Sequence, residues 1–398
     1  MKRIILIVVV LFTLGMSVPH GGAYSPAVVP AVKQQTPSAQ IQSRLADKYA
    51  LEMVFVLDTT GSMGGLIDGA KQRIWGIVNG VMESASRPSV RIGLVAYRDR
   101  GDAYVTKVLP LTADLDQVYT ALMGYLAEGG GDGPENVRRA LADAVHSAGW
   151  SPRSPGVAQI IFLVGDAPPH DDYQDEPDTA ATTAEAVRAG MIVNTIQCGG
   201  QPDTQQVWQT IAQHGEGQYF SIAQDGGVQA IVTPYDKRLS ELGAKLGSTY
   251  AAYGGGDSID GIRYREEANE KQAVTETVTV TAGTVGAAAD RAVNKALNSS
   301  AYAGDLMTDL ENGTVKLDAV KDADLPDDLK KLEPAARKKE IEKRLAERKK
   351  LREEILKLSK QRDDFIADAR RKQPDKKKGF DSAVSETLKQ QLARKGIK

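Results

Sequence analysis

Met53 to Leu57 is an unbroken apolar run, and it stops abruptly at Asp58. Such a run suits a strand buried on both faces, the kind found inside parallel sheets. The next residues, Asp58-Thr-Thr-Gly-Ser-Met-Gly64, supply a carboxylate, hydroxyls and glycine. From Gly65 a helical period begins, with Ile67, Ile74, Ile77, Val78 and Val81 on one side. Strand, polar turn and helix form the geometry in which an open parallel sheet presents ligand groups beyond its strand ends. Asp58, Thr60 and Ser62 alternate along the turn and offer only oxygen, which suits a hard cation such as Mg²⁺ or Ca²⁺. The same residue types also favour helix N-caps, so this segment alone leaves both readings open.

The pattern repeats downstream. Strands are expected at Glu52–Leu57, Arg91–Tyr97, Tyr104–Leu109, Gln159–Val164, Met191–Gln197 and Gly217–Ser221. Helices are expected at Gly65–Ala85, Ala113–Ala127, Glu135–Ala148, Thr179–Arg188, Thr204–Gln213 and Tyr235–Leu246. This alternation predicts an α/β fold: a doubly wound, mostly parallel sheet with helices on both faces. The short link Arg98-Asp-Arg-Gly-Asp-Ala103 is hairpin length, so its two strands should pair antiparallel at one edge.

Four separated segments carry a family likeness. Asp58-x-Thr60-x-Ser62 resembles the metal-ion-dependent adhesion motif of von Willebrand factor type A domains. Ser89 to Asp99, Ser-Val-Arg-Ile-Gly-Leu-Val-Ala-Tyr-Arg-Asp, resembles the second strand of the I-like domain of integrin β subunits. Asp132-Gly-Pro134-Glu135 resembles that family's Asp-x-Pro-Glu loop. Ile160 to His170 resembles its fourth strand, with Asp166 at the position of the last metal carboxylate. The likeness covers residues 50–245.

The resemblance implies a site. Asp58, Thr60, Ser62, Glu135 and Asp166 would surround one divalent ion, Mg²⁺ or else Ca²⁺ or Mn²⁺, directly or through water. A second ion would use Asp99, Asp132, Glu135 and the carbonyl of Pro134. In the integrin family that second site also uses an Asn where this chain has Gly130. A third site needs acidic residues where Gly65 and Leu66 stand, so no third ion is expected. Met63, Gly64, His170 and Asp172 stand beside these positions as ligand-side or orienting residues.

The ends of the chain read differently. Residues 1–23 have the basic start, short apolar stretch and small-residue exit of a signal peptide, with a single membrane anchor as the alternative. Residues 24–44 are a linker rich in Pro, Ala, Val and Gln, and a short helix is expected over 38–49. The type A domain is placed at 45–247 and expected to fold alone, bounded by Gly254-Gly-Gly256. A Gly/Ala/Thr-rich connector follows over 248–300, where Val274 to Ala282 suits either a strand or a Thr-rich helix face. Residues 301–398 form a charged helical region, in which Leu351, Ile355, Leu358, Phe365 and Ala369 recur at coiled-coil spacing and Arg362 interrupts them. That helix is expected to fold back as a hairpin or to dimerise weakly. Residues 325–398 carry a net charge of roughly +10 against roughly −12 before them, the imbalance typical of a solvated charged helix. Lys376-Lys-Lys378 and the other Arg and Lys residues of this tail suit a solvated helix face, with contact to an anionic surface as the alternative.

The whole chain has a formal net charge of −2, so nothing draws it to nucleic acid. Its one cysteine, Cys198, lies in an apolar run and reads as a core residue. A secreted chain without disulfides fits a bacterial periplasmic or secreted protein, with no membrane span once the signal is removed. The sequence has no phosphate loop, no dinucleotide fingerprint, no His-Glu-x-x-His and no nucleophile elbow. The expected function is therefore a secreted metal-dependent module, adhesive or scaffolding, that captures an acidic side chain of a protein partner through the ion. The alternatives are a metal-assisted enzyme acting on a phosphate-type substrate, and a structural envelope protein acting through its helical tail.

Overall fold

The computed structural model of the chain describes residues 50–83, 88–131, 133–227, 231–281, 284–298, 302, 304–372 and 379–397. The segments read from sequence as a signal peptide (1–23), a linker (24–44) and a short helix (38–49), together with Lys376 to Lys378, lie outside them.

Six strands form one sheet: β1 (Ala50–Asp58), β2 (Ser89–Tyr97), β3 (Thr106–Thr112), β4 (Val157–Gly165), β5 (Ile192–Cys198) and β6 (Glu216–Ile222). Their order is β3-β2-β1-β4-β5-β6. Only the β2/β3 pair is antiparallel, as the short link requires. The two neighbours of β1 are β2 and β4, so its apolar run is covered on both faces and paired on both edges. Val54 and Val56 face one core, while Met53, Phe55 and Leu57 face the other. That alternation is the period-2 geometry of a central strand.

Three helices cover the first face with Val54: α3 (Val137–His146), α4 (Thr179–Ala189) and α5 (Pro202–His214). Side chains cap two of these helices, α3 and α4, at their N-termini. Asn136 accepts from the Arg139 amide, and Asp178 accepts from the amides of Ala180 and Ala181. On the other face lie α1 (Gly64–Met82) and α2 (Leu115–Met123).

The third helix of that face comes from the far end of the chain. Between β6 and it stand α6 (Asp236–Gly247), α7 (Ile259–Thr281), α8 (Val285–Leu297), α9 (Leu306–Glu311), α10 (Asp327–Lys330) and α11 (Pro334–Arg371). Then α12 (Phe380–Arg394) returns to the sheet. Its Phe380, Ala383, Val384, Leu388 and Leu392 share one buried cluster with Phe55 and Phe162. Gln391 and Asn194 of β5 exchange side-chain hydrogen bonds of 2.7 and 3.2 Å in the same buried layer. The expectation of a domain closed at residue 247 is therefore corrected. The sheet face left open by α1 and α2 needs α12 to keep Phe55 and Phe162 from water, and the described residues form one compact unit.

The intervening helices bear on two readings that the sequence left open. Of the two alternatives for Val274 to Ala282, the helix is the one found: Val274 to Thr281 is the end of α7. Thr275, Thr277 and Thr279 return their hydroxyls to carbonyls four residues back, which satisfies them within the helix. The seam of α11 is not free for dimerisation. Leu351, Ile355 and Leu358 pack against Leu239, Leu242 and Val293 of α6 and α8. Arg362, which breaks the seam, is buried between Asp236 and Asp290 at 2.6 and 2.5 Å. Among the described residues no helix is long and apolar enough to cross a membrane.

Candidate metal centre

β1 delivers Asp58 to the carboxyl edge of the sheet, fully buried. The chain then turns through Thr60 into a short 3-10 turn, Gly61–Met63, before α1. Asp58 Oδ1 accepts from the Thr60 amide at 2.9 Å and from the Thr60 hydroxyl at 2.6 Å. Asp58 Oδ2 is buried and accepts no hydrogen bond. Ser62 stands exposed on the turn.

Glu135 enters from the loop before α3. Its amide donates to the Pro168 carbonyl at 3.0 Å, and its carbonyl accepts from the His170 amide at 3.2 Å. These bonds tie the loop to the strand end of β4, so the Glu135 side chain is held under the loops with Oε2 buried and unpaired. Asp166 directly follows β4, and its Oδ2 accepts from Gln224 Nε2 at 2.6 Å. The structure thus brings Asp58, Thr60, Glu135 and Asp166 together, with Ser62 on the adjoining turn.

The electrostatics report crowding of negative charge. Burial pushes the Asp58 carboxyl up to about 7, against the Thr60 hydrogen bonds and with repulsion from Asp166; the Asp166 amide lowers it slightly. Burial, then the charges of Asp58, Asp99, Asp102 and Asp166, pushes Glu135 up to about 9. Among the described residues no Lys or Arg forms an ion pair with Asp58, Glu135 or Asp166. Two orphaned buried carboxylate oxygens, oxygen-only donors and unbalanced charge fit a divalent cation. No three acidic, His or Cys side chains among the described residues group closely enough to hold an ion by themselves. An ion here would rely on the hydroxyls of Thr60 and Ser62 and on water as well.

The second constellation is only partly described, because Asp132 lies outside the described residues. Asp99 is buried, with Oδ1 unpaired. Its Oδ2 accepts from the Tyr173 hydroxyl at 2.7 Å and meets His170 Nε2 at 3.3 Å. His170 also contacts exposed Asp172 through Nδ1 at 2.9 Å and stacks on Tyr173 with ring centroids 4.2 Å apart. His170 thus stands between the carboxylates of Asp99 and Asp172. Pro134 lines an adjacent cleft of about 460 Å³ with Pro168, Pro169, His170, Asp171 and Asp172.

Gly130 has a left-handed φ of +76°, and a Cβ there would lie 3.0 Å from Glu135 Oε1 and 3.1 Å from Thr60 Cβ. No Asn side chain fits this position without displacing the loop. The ligand-side reading of Met63 is corrected: it is fully buried in the core under α1, and Gly64 opens that helix against Ala127. Sequence reasoning missed Gln224, Asp102 and Tyr97. Asp102 Oδ2 accepts from the Gly130 amide at 3.1 Å and the Asp99 amide at 3.3 Å, which fixes both loops. Only the Arg98 to Ala103 link, dense in charge for a hairpin, hinted at it.

Residues 52–234 match the family model described as von Willebrand factor A domain. A rat protein, von Willebrand factor A domain-containing protein 7 from Rattus norvegicus, is 30% identical over 210 residues, 52% of this chain and 22% of the relative. A putative ariadne-like RING finger protein of Acanthamoeba polyphaga mimivirus is 28% identical over 127 residues, 31% of this chain and 12% of its own. This chain thus spans about a fifth or less of the length of these relatives. A crystal structure of the SpRpn10 VWA domain covers 44% of this chain and 89% of its own, at 14% identity and a TM-score of 0.33.

Proposed function

We propose that this chain, which carries a von Willebrand factor A domain over residues 52–234, is an exported protein-binding module that captures an acidic group of its partner through a bound divalent cation. Von Willebrand factor A domains generally mediate protein–protein interaction, and this supports the binding half of the reading. The observation that carries the metal half is the pair of orphaned oxygens, Asp58 Oδ2 and Glu135 Oε2, on carboxylates that no Lys or Arg pairs with among the described residues. Asp58, Thr60, Ser62, Glu135 and Asp166 would hold the ion, Mg²⁺ or else Ca²⁺ or Mn²⁺. The ion would supply a positive charge at the loop surface for a partner carboxylate. A second ion at Asp99, Asp132, Pro134 and Glu135 would offset the excess negative charge of the first site. Binding is favoured over catalysis because the sequence carries no phosphate loop, no His-Glu-x-x-His and no nucleophile elbow.

Calorimetric titration of the metal-stripped protein with Mg²⁺, Ca²⁺ and Mn²⁺ tests the first step. Capture of envelope proteins with and without EDTA tests the second. A protein that takes up none of the three ions, or that holds its partner equally well in EDTA, would sink this reading.

A further inference from the structure

Tyr97 ends β2 in register with Asp58 at the end of β1, so both side chains leave the same face of the sheet. Tyr97 is fully buried, yet its hydroxyl closes no hydrogen bond. A buried tyrosine normally finds a partner for that group. Asp58 Oδ2 is likewise buried and without a partner. The other oxygen of Asp58 is already committed, because Thr60 donates to it twice.

The two orphans border one space. Beyond Asp58, on the next strand, stands Gly165. A Cβ on Gly165 would overlap Tyr97 Oη and would lie 3.1 Å from Asp58 Oδ2. The absence of a side chain at this one position lets the phenol reach across β1 toward the carboxylate.

We propose that Tyr97 is a positioning residue for the ion: its hydroxyl donates to Asp58 Oδ2, directly or through one water at Gly165, and so holds the carboxylate to one presented lone pair. This inference rests on the metal reading above. Its consequence is chemical. With Oδ1 filled by Thr60 and Oδ2 shared with Tyr97, Asp58 has no pair of free oxygens for bidentate chelation. Ca²⁺ often takes carboxylates that way, whereas Mg²⁺ keeps an octahedral shell with several waters. Tyr97 therefore sets ion preference as well as affinity, in the manner of the groups behind other metal ligands, whose loss typically costs 10–100-fold in affinity.

The test is Tyr97→Phe in the full chain, which removes one oxygen and keeps the ring. Metal-free protein is titrated with Mg²⁺ and with Ca²⁺, and melted without metal. The expected result is roughly tenfold weaker Mg²⁺ binding, a smaller loss for Ca²⁺ and an unchanged or higher melting temperature. Wild-type affinity and an unchanged Mg²⁺ to Ca²⁺ ratio in the variant would overturn the role of Tyr97 and leave the metal reading standing. Equal losses for both ions with a lower melting temperature would also overturn it, since that pattern means packing. If the wild type binds neither ion, both readings fall together.

Discussion

The rings of Phe55 and Phe380 pack 6.0 Å apart at 49°, joining the central strand to a helix near the far end of the chain. Phe380 also caps the loop that follows β6, its amide donating to the Gly226 carbonyl at 2.9 Å. The last helix is thus part of the sheet domain, and the helices between β6 and it are an excursion from that domain. A fragment ending at residue 247 should expose Phe55 and Phe162 and melt without cooperativity, while the full chain melts in one transition. Circular dichroism of the two decides it, and a sharply melting fragment would show that α12 is dispensable.

Phe380→Ala tests the same contact within the intact chain. It removes a fully buried ring and leaves a cavity against β1, so it should cost ~3–5 kcal/mol in urea unfolding. A loss below ~1 kcal/mol would mean the face closes around the gap.

Asp58→Ala and Asp166→Ala should each abolish tight divalent binding and leave the fold in place. Both lie at or beyond strand ends, and the hydrogen bonds that Thr60 donates to Asp58 are local ones. In the absence of metal, Asp58→Ala should not destabilise, because it removes one member of a repelling set. Calorimetry together with melting curves checks both halves. Undiminished affinity in both variants would remove these residues from the site.

The carboxyl pKa values give a pH signature. In the metal-free protein Asp58 is raised from 3.8 to about 7 and Glu135 from 4.5 to about 9. Between those values the folded state holds protons that the unfolded state has released. Stability of the metal-free protein should therefore fall as pH rises from about 4 to about 9, and saturating Mg²⁺ should flatten the slope. Mg²⁺ affinity should conversely rise with pH over the same range, because the ion displaces those protons. Melting temperature against pH, with Mg²⁺ and with EDTA, reads both effects, and parallel curves would contradict them.

A buried ion cluster fastens the excursion to the domain. Asp116 of α2 accepts from Arg291 of α8 at 2.8 and 2.9 Å and is paired with Lys295. Burial raises the Asp116 carboxyl, but the Lys295 and Arg291 charges outweigh it and hold the group well below the usual carboxylate range. Its contribution is complete above about pH 4 and drains away as pH falls below that. Asp116→Ala would strand two buried cations and should cost ~3–5 kcal/mol at neutral pH. Guanidinium unfolding of the variant measures it, and a change within ~1 kcal/mol would mean water or Glu276 takes over.

Much of this protein was written locally. The apolar run into Asp58, the polar turn and the amphipathic helix after it fix strand, loop and helix from neighbours in sequence, and alternation of such units leaves little choice but a doubly wound sheet. Asp58 and Thr60 stand out in the polar turn that ends the apolar run, whereas Glu135 and Asp166 are reached only through the family resemblance of the Asp132-Gly-Pro134-Glu135 loop and of the segment Ile160 to His170. What the tertiary structure alone decided depends on which side chains meet across long loops. The α12 face reads as one more amphipathic helix until Phe55 supplies its partner. Arg362 looks like a flaw in a coiled-coil seam until Asp236 and Asp290 close around it. Tyr97 looks like one more strand residue until Gly165, on a strand one place beyond its neighbour, leaves room for its hydroxyl beside Asp58. Local pattern encodes which elements form because backbone and burial energies act over a few residues. Partnering of buried polar groups does not appear in it, because desolvation is settled only when distant elements come together.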